Sequence, residues 1–98
     1  MNQHPFPVAV LNSADTLGPV VRARRKSQSL RIDDAAALLG VSVDLMSRLE
    51  NGQGSVRLDK VMAVLDGLGM ALMVLPKEHP WMREAATQPA PIDAGPQP

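Results

Sequence analysis

Apolar positions recur along this chain at helical spacing in four places, and once as a short unbroken run. Leu17, Val20, Val21 and the stem of Arg24 predict a first helix from about Asp15 to Ser27, with Pro19 tolerated in its opening turn. Ala35, Ala36, Leu38 and Leu39 mark a second helix, in which Ala36 is small enough to let another helix cross closely. Gly40 ends it, because glycine takes the left-handed conformation of a sharp turn at little steric cost. Val41 plugs the turn and Ser42 caps a third helix that buries Met46 and Leu49 and points Val43, Asp44, Ser47 and Arg48 outward. Asn51 and Gly52 stop that helix, and QGSVR is a loop. A fourth helix runs from about Leu58 to Leu68 with an apolar stripe of Leu58, Val61, Met62, Leu65 and Leu68, closed by Gly67 and Gly69.

Met70 to Leu75 is too short and too uniformly apolar for an exposed helix and reads as a strand. A lone strand leaves backbone groups unpaired on both edges, so its nearest partner is the same strand of a second copy, with Met70, Leu72 and Val74 as the dimerisation residues. The VAVL segment, residues 8 to 11, is either a further strand on that ribbon or part of an unstructured start. The chain thus divides into an N-terminal arm, 1 to 14, a domain from 15 to 75, and a proline-rich tail, 76 to 98, whose composition supports no core and is expected to be disordered.

The stretch from Ile32 to Asn51 meets the steric demands of a helix-turn-helix, the arrangement that lays its second helix in the major groove of DNA. Two short amphipathic helices joined at glycine are common, and the basic helix before them and the apolar helix after them make the signal specific. On this geometry Ser42, Val43, Asp44, Leu45, Ser47 and Arg48 face the bases. Arg48 reaches either a guanine or, one turn beyond the helix tip, a phosphate, the slightly favoured reading. Asp44 either accepts from a cytosine amino group or belongs to the helix N-terminus. Arg25 and Lys26, in a cluster with Arg22 and Arg24, are phosphate candidates, although cations at a helix C-terminus are also favoured by the macrodipole. Gln53 and Ser55, in the loop after the reading helix, are further phosphate candidates.

The fragments LGPVVRARR, AAALLGVS, MSRLENG and LDKVMAVLDGLGM resemble the Cro and phage-repressor class of helix-turn-helix domains over Leu17 to Leu75. Within that class the chain is most similar to the HipB antitoxins, because its fourth helix leads into the apolar MALMVL segment. The resemblance implies a mostly α, four- to five-helix domain with a short C-terminal β-strand pairing across a dimer. It implies a transcriptional repressor that binds a palindromic double-stranded operator, holds a HipA-like kinase toxin and represses its own operon. A stand-alone repressor with no toxin is the alternative, and an adaptor that has lost DNA binding is a third reading. Relatives usually carry glutamine where this chain has Ile32, and a hydroxyl or acceptor where it has Arg31, so Arg31 is expected to replace their phosphate contact with a direct charge.

Charge changes this picture little. The formal net charge is zero, but Thr16 to Leu75 carries eight Lys or Arg against six Asp or Glu. Binding then depends on a few placed cations and on two copies, not on a broad positive field. A core of this size is marginal alone, which also favours dimerisation. The absence of cysteine excludes disulfides and thiolate metal sites and suits a reducing cytoplasm. No segment is apolar for long enough to span a membrane, and no signal peptide is recognised. His4 and His79 lie in the flanks without an acidic cluster or a nucleophile, so no enzyme, cofactor or metal site is expected. Asp33 and Asp34 open a helix, where carboxylates suit the dipole. Trp81, the one tryptophan, either packs locally or anchors a protein partner.

Overall fold

The computed structural model describes residues 8 to 86 and contains five helices among them: α1 (Ala14–Ser27), α2 (Ile32–Leu39), α3 (Val43–Asn51), α4 (Leu58–Gly67) and α5 (Pro80–Ala86). The helices α1 and α2 pack against α3, and α4 packs against α2, over a core of Val21, Ala35, Ala36, Met46, Leu49, Val61, Val64, Leu65 and Leu68. Ala35 and Ala36 are both buried in that core, on the helix that packs against both α3 and α4.

Four helix ends share one closing pattern. The amide of the residue after a left-handed position bonds back five residues: Val41 to the Ala36 carbonyl at 3.0 Å, Gln53 to Arg48 at 2.9 Å, Met70 to Leu65 at 2.8 Å and Leu30 to Arg25 at 3.3 Å. Gly40, Gly52 and Gly69 supply the left-handed residue for α2, α3 and α4. At the end of α1 the same place is filled by Ser29, at φ +58°, where a Cβ is strained. The α4 end is held further from outside: Arg24 Nε donates to the Leu68 carbonyl at 2.8 Å and Gln28 Nε2 to the same oxygen at 3.1 Å.

Gly18 and Pro19 explain how α1 tolerates a proline well inside the helix. Pro19 lacks the amide that would bond back to Asp15, and its ring crowds the Cβ of the residue before it. Gly18 has no Cβ, and the same feature lets α1 approach the backbone of α3, where a Cβ would meet the Glu50 carbonyl carbon and the Leu49 oxygen at 2.8 Å each.

Several expectations need correction. The buried stripe of α4 is Val61, Val64, Leu65 and Leu68, while Leu58 is 70% exposed and Met62 also faces out, because α4 is turned relative to the expected stripe. No strand forms among the described residues at 8 to 11 or at 70 to 75. Met70 packs against the core of its own domain, whereas Leu72, Met73 and Val74 are exposed. The tail is not without structure throughout: Pro80 opens α5 at a position where its missing amide costs nothing, and His79 Nδ1 accepts from the Trp81 amide at 3.0 Å. Residues 87 to 98 lie outside the described residues, as does His4. No helix among the described residues is long and apolar enough to cross a membrane.

Candidate nucleic-acid interface

The outward face of α3 is assembled from its cap onward. Ser42, extended at ψ 156°, accepts from the Leu45 amide at 3.0 Å, so the helix begins where its sequence requires. Met46, Leu49 and Glu50 face inward. Ser42, Val43 and Asp44 are exposed, and Ser47 and Arg48 are half-exposed. Leu45 departs from the expected base-facing set: its partly buried side chain packs against the core.

Asp44 and Arg48 are joined one turn apart, Nε donating to Oδ2 at 3.1 Å. Arg48 Nη1 also donates to the Ser55 carbonyl at 3.1 Å, tying the helix to the loop that follows. That loop carries Gln53 and Ser55 in exposed positions, as their expected role needs. Ser47 accepts a 3.4 Å bond from Asn51 Nδ2.

Arg25 is a correction. Its side chain is 9% exposed and lies inside the domain, with Nε on Glu50 Oε2 at 2.6 Å, Nη2 on Glu50 Oε1 at 2.9 Å and Nη1 on the Leu30 carbonyl at 2.8 Å. A guanidinium held by a carboxylate fork in the core cannot also hold a phosphate. Gly18, Val21 and Arg25 share the buried face of α1, and Met46, Leu49 and Glu50 lie at i, i+3 and i+4 on α3. That shared register was the signal for a buried pair, and reading Arg25 only as part of a basic cluster missed it.

Lys26 remains partly exposed in the last turn of α1. Arg31, 81% exposed, stands at the N-cap of α2 and pairs with Asp33 at 3.3 Å, while Ile32 packs against the core and offers no donor. Arg57, at the N-cap of α4, is an exposed cation that sequence reasoning passed over; it pairs with Asp59 at 2.8 Å. Trp81 lies far along the chain from these residues, 56% exposed and edge-on to the His79 ring at 5.4 Å. Among the residues whose side chains are described, no cluster of His, Cys, Asp or Glu is placed to hold a metal ion.

A helix-turn-helix domain model matches residues 16 to 73, more than half of the chain. The chain belongs to the helix-turn-helix domain family. It is 37% identical over 59 residues to the uncharacterised HTH-type transcriptional regulator y4mF of Sinorhizobium fredii, a match covering 60% of this chain and 78% of that protein. Among solved structures, it resembles a chain of the HipA-HipB-O2-O3 complex and a chain described as MDT protein. Each superposes with a TM-score of 0.65 at 15% identity over 72% of this chain and 100% of the other. At that identity the likeness establishes the fold, and it agrees with the resemblance drawn from the sequence.

Proposed function

We propose that this chain is a sequence-specific DNA-binding transcriptional repressor that acts as a dimer on a palindromic operator. The observation that carries the reading is the α2–turn–α3 unit, with its glycine turn, hydroxyl cap and a polar outward face of Ser42, Asp44, Ser47 and Arg48, in a chain of the helix-turn-helix family. The relative described as a transcriptional regulator supports it. Phosphate contact falls to Lys26, Arg31, Gln53 and Ser55.

Support for a dimer comes from Ala71 to Leu75. Among the described residues the backbone of this segment makes no hydrogen bond, and Val74 is 88% exposed. Pairing with the same segment of a second copy satisfies those groups and covers Leu72 and Val74. Two reading helices would then lie roughly 34 to 36 Å apart, one turn of DNA. Selection from a random duplex library tests this: the reading requires a symmetric site of that spacing and a dimer in sedimentation, and fails if the chain sediments as a monomer or selects no sequence.

The likeness to a chain of the HipA-HipB-O2-O3 complex favours the antitoxin form of this function, in which the repressor holds a HipA-like kinase and represses its own operon. Trp81, more than half exposed on α5, is the proposed anchor for that partner. Co-purification of the full chain with a HipA-like kinase encoded beside it tests the antitoxin reading. Absence of any such neighbour, with operator binding intact, supports a stand-alone repressor instead.

A further inference from the structure

Arg48 is the most constrained side chain on the outward face of α3. Asp44 Oδ2 holds its Nε and the Ser55 carbonyl holds its Nη1, both at 3.1 Å. Gly54, at φ +66°, brings the following turn against the same guanidinium. Two nitrogens are thereby fixed. Arg48 Nη2 and Asp44 Oδ1 make no hydrogen bond among the described residues, so the pair presents a free donor and a free acceptor together, on side chains 40% and 79% exposed. An exposed pair one turn apart does little for helix stability. Stability alone therefore gives no reason to secure the arginine from two sides.

In the major groove a C·G pair shows the N4 amino donor of cytosine beside two acceptors, O6 and N7 of guanine. An A·T pair separates its two acceptors by the N6 amino group and adds a methyl. We propose that Asp44 and Arg48 act as one reading unit for a C·G base pair, with Asp44 Oδ1 accepting from cytosine N4 and Arg48 Nη2 donating to guanine O6 or N7. The inference rests on α3 lying in the major groove. It resolves two difficulties together. Arg48 offsets the charge that would otherwise repel Asp44 from the phosphates, and the Asp44 carboxylate and Ser55 carbonyl hold Arg48 away from the phosphate contact that its distance from the helix tip suggests. Because the guanidinium is fixed before DNA arrives, less rotamer freedom is lost on binding.

The test is selection from a random duplex library with the full chain and with Asp44→Asn and Arg48→Met, each variant first shown to be folded by circular dichroism. The wild type is expected to require one C·G pair in each half-site, and changing that pair should weaken binding about 5- to 150-fold. Asp44→Asn should move the preference at that position from cytosine toward adenine, which asparagine reads. Arg48→Met should lose discrimination at the same base pair while the other positions of the half-site stay selected. A wild-type half-site without a required C·G pair overturns the proposal, as does unchanged discrimination at that pair in either variant. If the wild type selects no sequence at all, the DNA-binding reading itself fails and this inference falls with it.

Discussion

Replacing Glu50 with alanine while Arg25 stays in place should bring this domain close to unfolding. The two side chains, 9% and 4% exposed, make a bidentate contact with bonds of 2.6 and 2.9 Å where α1 crosses α3. Deleting the carboxylate takes from a buried guanidinium both oxygens of its bidentate Glu50 contact, and breaking a buried pair from one side typically costs about 3 to 5 kcal/mol. A domain of this length holds about 4 to 12 kcal/mol in all, so the loss is a large share of the total. Urea unfolding followed by far-UV circular dichroism measures it as a fall in midpoint at constant slope. The double variant Arg25→Met/Glu50→Met tests the cause, because removing both charges and keeping the volume should restore most of the stability. A loss below about 1 kcal/mol for Glu50→Ala, the size of an exposed pair, would refute the buried geometry. A double variant no more stable than Glu50→Ala would refute the argument from a buried pair broken on one side.

Three other outcomes follow from particular contacts. Gly18→Ala puts a Cβ against the Glu50 carbonyl carbon and the Leu49 oxygen, backbone atoms that cannot rotate away, and should cost at least about 1 to 3 kcal/mol; a melting temperature equal to wild type would mean that the helices pack less closely. Ser29→Gly relieves a left-handed backbone at the end of α1 and should stabilise by about 0.5 to 1 kcal/mol, whereas a lower urea midpoint would show that Ser29 is not strained. Truncation after Lys77 removes α5 but none of the core, so the melting curve and operator affinity should change little while affinity for a kinase partner drops, by about 2 kcal/mol if Trp81 is its buried anchor; equal partner affinity in calorimetry would place that contact on the domain body.

Local chemistry made much of this domain legible in its sequence. The turn at Gly40, the Ser42 cap, the burial of Met46 and Leu49 and the stop at Gly52 depend on residues within one or two turns of each other, and all are found as expected. What escaped notice depends on contacts between helices. Arg25 looks like surface charge until Glu50, 25 residues away, is brought against it. Arg24 and Gln28 cap a helix whose last carbonyl lies 40 or more residues on. Gly18 has no local turn to mark it, and the approach of α3 that requires it is a contact between helices. The rotation of α4 was hidden because Leu58 and Met62 are as apolar as the Val64 that is buried, so the pattern alone admitted more than one face. On the reading helix, Asp44 was difficult to place as an isolated acid, and its bond to Arg48 gives it a defined neighbour.

The central claim is that the outward face of α3 reads DNA. Amide chemical-shift mapping of the isotopically labelled full chain, titrated with its selected operator duplex, tests that claim most directly. The account predicts that the largest perturbations fall on residues 42 to 48 and 53 to 55, with the amides of the inner face of α4 little changed. Perturbations concentrated elsewhere, with residues 42 to 55 unmoved at saturation, would contradict it.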